Sequence, residues 1–501
     1  MSVIGTDWQR QVSGAQLIEG EWRDSSAQAG VIESWTVDGD MVCSAPIADL
    51  HTVNEAVRSA VHAFETSGWK ERPGRERAAP LLRVADAMER RSAELASLLA
   101  REVGMPYELA RNEEVKGAAD KFRYFASIAR TVEGRVTGST PPRLLDLTVP
   151  HPVGVCALIT PWNNPIEQPA RQLGPALAAG CTVVIKPSEE TPASTQALVE
   201  LLAEEPGIPA GVVNLVHGPG EPTGEALVSH PDVSKVAFTG STRTAQRILS
   251  ATSDGLKRVS LECGGKSPAL VFADCALEKC LDALAVGAFL YTGQSCSAAT
   301  RVIAERAIYD AVVDGLAARA KLFRSGHPMD PKTVIGPLVS KRHAVQVQRF
   351  LSTVNDVGGT FITGGVLDGL YIEPTIVVGV DPQSEIATEE VFGPVTCVFA
   401  VDSEDDAVAL ANDSRFGLQA AVWTSNVERS IRIARNLQYG DVWINTYYVR
   451  NAETPFGGWK QSGLGRELGP AGLDEYIAYQ RIALDVGETY QYRVTAKGEA
   501  T

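Results

Sequence analysis

The 501-residue chain has no CxxC pair, no Lys/Arg-rich run, no cluster of histidines and no long apolar stretch. Each absence excludes something. The eight cysteines, at positions 43, 156, 181, 263, 275, 280, 296 and 397, show no regular spacing and so form no disulfide framework. The seven histidines are scattered, and none lies close to the only tight cysteine pair, Cys275 and Cys280. No metal is expected. A formal charge of −15, from 46 basic and 61 acidic side chains, argues against a protein whose affinity comes from neutralising nucleic-acid phosphates. Apolar runs such as residues 283–291 are under half of the ~20 residues that span a bilayer. Residues 1–12 carry no apolar stretch behind a basic one, so neither a membrane partner nor a secretory signal is expected. Most thiols then read as small buried hydrophobes in a reducing cytoplasm. The question is whether one differs.

What is present is a globular composition, 44% hydrophobic and 21% charged. At ~100–200 residues per domain the length suggests two to four domains. The first ~130 residues read mainly helical: Val53, Ala56, Val57, Ala60, Val61 and Phe64 recur at helical spacing, and residues 81–99 form a longer amphipathic segment. From residue 153 the rhythm changes. Short apolar runs at 153–159, 182–185, 212–216, 236–238 and 259–261 alternate with helical stretches, and the alternation restarts after Gly264-Gly265 with runs near 269–272, 301–304, 395–399, 420–423 and 442–444. Strands apolar throughout and separated by helices imply parallel sheets buried on both faces. The expected fold is therefore α/β, with two parallel-sheet domains. Leu145, Leu147 and Val149 alternate within residues 134–152, as do Ile482, Leu484 and Val486 near the chain end. These two segments pair either as an exposed β arm for oligomerisation, with an unpaired edge, or serve as plain linkers.

Several motifs are cheaper than they look. Gly265-Lys266-Ser267 resembles the end of a phosphate-binding P-loop, but the glycine required five residues earlier is Ser260. Gly218-Pro-Gly220 with Gly224, and Gly463-Leu-Gly465 with Gly469, fit only a loosened dinucleotide fingerprint, and each alone reads as turn chemistry. The informative element is Tyr291-Thr-Gly-Gln-Ser-Cys296-Ser-Ala, a cysteine among small polar residues where a nucleophilic thiol has room. Glu262, in Ser260-Leu-Glu-Cys-Gly-Gly-Lys-Ser, sits at the carboxyl end of an expected buried strand, where open α/β sheets place their ligand crevices. Thr160-Pro-Trp-Asn163-Asn-Pro also follows a strand directly, and the Asn163 amide is suited to donate to an oxyanion.

Together these residues resemble the aldehyde dehydrogenase superfamily, over nearly the whole chain from about residue 20 to about 485. The motifs that carry the resemblance are the three above with Lys186-Pro-Ser-Glu189, Phe238-Thr-Gly-Ser-Thr242, Glu389-Glu-Val-Phe-Gly-Pro394 and Pro455-Phe-Gly-Gly-Trp-Lys460. The resemblance implies a Rossmann-like cofactor domain over residues 1–133 and 153–263, a catalytic domain over 264–465, and an arm from 134–152 and 478–494 that assembles a homodimer or homotetramer. It implies that Cys296 attacks an aldehyde as the thiolate, that Asn163 and the Cys296 N–H hold the oxyanion, and that Glu262 activates the water that hydrolyses the resulting thioester. For the cofactor it implies Thr160, Trp162, Lys186, Ser188, Glu189, Gly220, Phe238, Gly240, Ser241, Thr242, Gly264, Glu390 and Phe392. Glu189 at the ribose favours NAD over NADP, whose 2′-phosphate a carboxylate repels, although NADP stays open.

Departures from the family pattern bear on substrate. Ala245 stands where glycine is common, and Gln172 where a lysine is frequent, which leaves the proton exit route open. Asn164, Ser295, Ser297, Arg171, Arg450 and Phe456 line the expected substrate pocket, where relatives acting on apolar aldehydes carry aromatic or aliphatic side chains at several of these places. Asn164, Glu167, Gln168 and Arg171 share a helix face at i, i+3, i+4 and i+7. Either Arg171 and Arg450 bind a carboxylate, making the substrate a polar aldehyde such as a semialdehyde, or Arg171 and Glu167 merely satisfy each other. The competing functions are a coenzyme-A-acylating dehydrogenase, disfavoured by Glu262, and a non-catalytic dinucleotide-binding or structural homologue, disfavoured by the complete Cys296, Glu262 and Asn163 set.

Overall fold

A computed structural model describes residues 12–24, 29–138, 140 and 143–486. The expectations for residues 1–11 and for the distal part of the arm, 487–494, lie outside the described residues.

Two sheets organise the chain. In the first, β1 (Val155–Ile159), β2 (Thr182–Lys186), β3 (Val213–Leu215), β4 (Lys235–Thr239) and β5 (Arg258–Glu262) run parallel in the order β5-β4-β1-β2-β3. Alternate side chains serve opposite faces. Cys156, Leu158, Val183 and Ile185 pack on the side of helix α1 (Glu167–Ala179), with Leu173 and Leu177. Val155, Ala157, Ile159 and Val184 pack on the other side, with Val53, Ala56, Val57 and Ala60 from the helix Leu50–Thr66. Because both faces are covered, every position of β1 and β2 is apolar or buried, which is why these strands read as continuous apolar runs.

The second sheet joins β6 (Ser267–Val271), β7 (Ala299–Glu305), β8 (Thr375–Val378), β9 (Val395–Val401), β10 (Gln419–Trp423) and β11 (Asp441–Ile444) in the parallel order β8-β9-β7-β6-β10-β11. Its strands also alternate between two clusters, with Leu270, Ile303 and Phe399 on one face and Ala269, Val302 and Val398 on the other. The fold is thus α/β with two mixed sheets whose central strands run parallel, as the alternation of runs implies, and which carry antiparallel strands at their edges.

Local differences have physical causes. Residues 12–46, within the segment read as mainly helical, form five strands of two to six residues; such short edge elements leave little periodic signal. The long amphipathic segment at 81–99 is two helices, Gly74–Arg90 and Ser92–Glu102, broken at Arg91. Strand β8 has no counterpart in the sequence expectation, because its four residues lie between irregular segments. Leu144–Pro152 and Ile477–Asp485 pair antiparallel over nine residues, with Leu147 opposite Ile482 and Leu145 opposite Leu484, and Arg481 Nε donating to Asp146 Oδ1 at 2.8 Å. That sheet has two strands only, and Leu145, Ile482 and Leu484 are exposed on it.

The chain order places the site. From β1 it moves outward through β2 and β3, then returns to the other side of β1 for β4 and β5, so the strand order reverses between β1 and β4. Ligands of such sheets bind at the carboxyl ends beside that reversal. After Glu262 closes β5 the chain crosses at once into β6, and β7 begins just after Cys296. The carboxyl ends of the first sheet therefore meet the amino ends of the second. Among the described residues, no helix is long and apolar enough to cross a membrane.

Candidate active site

Cys296 sits on the loop between helix α3 (Leu277–Phe289) and β7. The loop enters through Tyr291, Thr292 and Gly293, all with φ between 57° and 64°. Only Gly293 adopts this left-handed turn without cost, and a Cβ there would lie 2.2 Å from the Gly393 carbonyl, so no other residue fits. Thr292 Oγ1 donates to Gly336 O at 3.1 Å and Gln294 Oε1 accepts from Val339 N at 2.9 Å, which pin the turn from both sides. Of the eight free thiols only Cys275 and Cys296 are partly exposed. Burial raises the Cys296 thiol pKa, while Arg450 and Ser297 pull it down.

The loop after β1 brings Asn163 to this cysteine. Its Nδ2 donates to Gln294 O at 3.1 Å, two residues before Cys296, which spends one amide hydrogen and leaves the second for another acceptor. From β5, Glu262 is 4% exposed and neither carboxylate oxygen has a hydrogen-bond partner among the described residues. Its backbone is locked by antiparallel pairing with Gly463, and Gly457 lies so close that a Cβ there would be 2.7 Å from Glu262 Oε1. Burial drives the Glu262 pKa well above the usual carboxylate range; Glu467 adds to the rise and Arg466 and Arg171 oppose it.

The expected cofactor residues gather around the first sheet's carboxyl ends. Ser241 caps helix α2 (Thr242–Thr252) by accepting from Thr244 N, so the helix amino terminus opens toward the crevice. Gly240 lies against the Phe238 ring, where a Cβ would come within 2.5 Å. Lys186 ends β2 and donates to Pro187 O at 2.7 Å and Gly218 O at 2.9 Å, and its burial lowers its pKa. Ser188 and Glu189 follow, half-buried. A cleft of about 630 Å³ is lined by Ile159, Lys186, Gly220, Val228, Thr244 and Ile248, among others. Ala245 is buried on the same helix. Glu390 Oε1 accepts from Gly265 N at 3.1 Å, and burial raises its pKa to about 7. A Cβ on Gly264 would be 2.0 Å from Glu390 Oε2, so a side chain here would displace that carboxylate. The Phe392 ring stands 5.2 Å from the Trp162 ring, and Thr160 Oγ1 is buried without a hydrogen-bond partner among the described residues. An apolar cleft beside a helix amino terminus, with a carboxylate and a lysine at the strand ends, fits a dinucleotide.

The substrate side is a charged network. Arg171 is 1% exposed; its Nη2 donates to Glu167 Oε1 at 3.0 Å, its Nη1 is 3.9 Å from Glu467 Oε2, and its guanidinium stacks 5.1 Å from the Phe456 ring. Lys121 Nζ adds a second cation on Glu167 at 3.2 Å. Burial alone would raise the Glu167 pKa, yet Arg171, Lys121 and Arg450 outweigh it and hold it well below the usual range. Arg171 is thus paired with Glu167 through Nη2, while its Nε and Nη1 have no hydrogen-bond partner among the described residues. Asn164 precedes helix α1 rather than sharing its face, and its Nδ2 donates to Glu114 Oε2 at 2.6 Å. Arg450 is half-buried, stacks 5.8 Å from the same Phe456 ring, and donates from Nη2 to Ser297 Oγ at 2.7 Å. Ser295 Oγ accepts from Ser297 N at 3.4 Å. Gln172 Nε2 reaches Glu467 Oε1 at 3.4 Å and Thr239 Oγ1 at 3.2 Å.

Sequence reasoning missed Glu114, Lys121, Glu467, Tyr447 and Tyr448. Glu114 and Lys121 are single charges in helical segments, with nothing local to mark them as buried. Glu467 lies within Gly463-Leu-Gly465-Arg-Glu467, where the glycines carry the visible pattern.

The chain matches the model of the Aldehyde dehydrogenase family over residues 22–482. It is 40% identical over 452 residues to the NADP/NAD-dependent aldehyde dehydrogenase of Escherichia coli, covering 88% of this chain and 91% of that one. It is 36% identical to a 2-aminomuconic 6-semialdehyde dehydrogenase of a Pseudomonas species, covering 94% and 97%. The crystal structure of an NAD-dependent aldehyde dehydrogenase from Sinorhizobium meliloti superposes with a TM-score of 0.95 at 36% identity, covering 98% of each chain.

The buried Glu262 generates a stability prediction. A carboxylate whose folded pKa lies above its unfolded value holds its proton more tightly when folded, so its contribution falls as pH rises from the unfolded value through the folded one. Glu262→Gln cannot ionise. Thermal unfolding across pH 4.5–9 should show the variant matching wild type at the acid end and exceeding it by a margin that grows with pH. A constant difference would contradict the buried ionisable state.

Proposed function

The chain belongs to the aldehyde dehydrogenase family, and we propose that Cys296, Asn163 and Glu262 are the groups with which it converts an aldehyde to a carboxylic acid. The protein is an oxidoreductase acting on aldehydes with NAD. The observation that carries the residue assignment is the Asn163–Gln294 hydrogen bond, which ties the loop after β1 to the loop bearing Cys296.

In this reading the Cys296 thiolate attacks the carbonyl carbon, and the carbonyl oxygen becomes an oxyanion facing the Cys296 N–H and the free Asn163 amide hydrogen. Bound NAD supplies the acceptor for the hydride that leaves this adduct. The adduct is then a thioester on Cys296. Glu262, once deprotonated, takes a proton from water, whose oxygen attacks the thioester, releasing the acid and returning the thiol. Aldehyde, NAD and water thus give carboxylate, NADH and two protons. Burial raises the Glu262 pKa, so the carboxyl must lose a proton before it can act as a base, and Glu467, beside Gln172 and Arg171, is a titratable neighbour to take part in that exchange. A carboxylate poised here supports transfer to water rather than to coenzyme A.

Lys186, Ser188 and Glu189 would hold the adenosine ribose, Gly220 and Thr244 the cleft walls, Ser241 and Thr242 the pyrophosphate at the helix amino terminus, and Glu390 and Phe392 the nicotinamide side, with Thr160, Trp162, Phe238, Gly240 and Gly264 shaping the passage between them. Glu189 favours NAD over NADP. Residues 153–263 and the helices before them form the cofactor domain and residues 264–465 the catalytic domain, although Gly463-Leu464 pairs with the cofactor sheet. The exposed apolar side chains and unpaired edges of the arm support a homodimer or homotetramer. Eight free thiols support a reducing compartment such as the cytoplasm.

The substrate in this reading is a polar aldehyde carrying a carboxylate. Arg171 is paired with Glu167 through Nη2, whereas Arg450 has no carboxylate among its hydrogen-bond partners in the described residues and is the group that meets the substrate anion, backed by the positive charge of Arg171 and Lys121. The Pseudomonas relative named for a semialdehyde supports this class.

Two outcomes test these assignments. Removing an oxyanion donor typically costs ~3–4 kcal/mol of barrier, so Asn163→Ala should lower kcat by about two to three orders of magnitude; a near-normal rate of NADH formation would remove Asn163 from the mechanism. Turnover of a carboxylated and a neutral aldehyde of equal length should differ in wild type, and Arg450→Ala should erase most of the ratio of their kcat/KM values. Equal preference in wild type would exclude the anionic substrate.

A further inference from the structure

Cys296 is followed by Ser297, whose side chain is fully buried, and beyond Ser297 lies Arg450. Ser297 Oγ is 3.7 Å from Cys296 Sγ and 2.7 Å from Arg450 Nη2. A guanidinium has donors only, so in the second contact Ser297 must be the acceptor. That leaves the hydroxyl hydrogen free, and the sulfur is within its reach. The arrangement is braced: Tyr447 OH donates to Ser297 O at 2.8 Å, and the Arg450 guanidinium lies 5.1 Å from the Tyr448 ring and 5.8 Å from the Phe456 ring.

We propose that Arg450, acting through the Ser297 hydroxyl, directs a hydrogen bond onto the Cys296 sulfur and so activates it as the nucleophile. The inference rests on the reading of Cys296 as the nucleophile. When the thiol ionises, its proton passes to water at the site mouth; Ser297 and Arg450 keep their protons and break no bond. The hydroxyl hydrogen then points at a full negative charge, and the cation on the other side of the oxygen strengthens that bond. The remaining charged or titratable groups facing the sulfur are Arg171, Glu390, Tyr447, Tyr448 and Cys263. Burial and Glu390 work against ionisation, and Arg450, Ser297 and Arg171 work for it. Ser297 touches the reacting sulfur and is catalytic in this sense, whereas Arg450 is a positioning residue for it.

The test is the pH dependence of Cys296 alkylation by iodoacetamide in the full-length protein, without aldehyde or NAD, read from the mass of the Cys296 peptide. Ser297→Ala and Arg450→Gln should each move the inflection up by about one pH unit, slowing alkylation about tenfold below it. Ser297→Thr, which keeps the hydroxyl, should stay at the wild-type inflection. An unmoved inflection in Ser297→Ala overturns the proposal, as does a shift in Arg450→Gln without one in Ser297→Ala, which would mean that the cation acts through space. Iodoacetamide is neutral and no aldehyde is present, so substrate recognition by Arg450 has no part in the result. Failure of the nucleophile reading itself would appear separately, as aldehyde oxidation surviving in Cys296→Ser.

Discussion

A carboxyl group shut away from solvent without a donor is among the costliest things a protein can hold, and the site is built around one. Glu262 ends β5, its backbone clamped by Gly463 and its head confined beside Gly457. The two sheets are joined through the same residues: only Cys263, Gly264, Gly265 and Lys266 separate Glu262 from the start of β6, and a Cβ on Gly265 would lie 2.6 Å from the Cys296 carbonyl. Gly265 must be a glycine because the Cys296 backbone occupies the space beside it. The sheets thus bring carboxylate, thiol and amide together at one joint, and burial then sets their chemistry, raising both the Glu262 and Cys296 pKa values.

Cations decide how far that burial goes. The chain as a whole carries −15, a field that opposes anionic ligands, so attraction has to be local. Arg171 and Lys121 are neutralised in part by Glu167, and Arg450 stands forward of them between aromatic rings, with a serine hydroxyl rather than a carboxylate on its hydrogen-bonding nitrogen. A buried pair such as Glu167 and Arg171 costs desolvation that its attraction only partly returns. In the proposed function its value is geometric: it engages Glu167 with Arg171 and Lys121, and leaves the charge of Arg450 to act at the Cys296 sulfur and on a substrate anion.

Much of this was legible in the sequence because burial on both faces writes itself into composition. β1, β2 and β4 stand within two residues of the apolar runs that announce them, and the antiparallel partners Leu147 and Ile482 were visible as alternation. Asn163 and Glu262 were legible as polar residues at strand ends, where a sheet has no structural use for them, and Cys296 as a cysteine among small polar residues after an apolar helical stretch. Glu114, Lys121 and Glu467 were not, since a lone charge in a helix or loop looks the same whether it faces water or a buried partner. The same holds for Arg171. Its i, i+4 spacing to Glu167 allowed both a substrate site and a mutual pair, and the spacing could not say that the side chain is almost wholly buried with Nη2 on Glu167. The strands before residue 46 and β8 are too short for periodicity to speak.

The central claim is that an acyl group passes through Cys296 and that Glu262 provides for its release. The most direct measurement is intact-protein and peptide mass spectrometry of Glu262→Gln after incubation with NAD and an oxidisable aldehyde. The account predicts one acyl group per chain, on the Cys296 peptide, formed with one equivalent of NADH and persisting when wild type has already released its acid. No accumulation, or an acyl group on another residue, would contradict it.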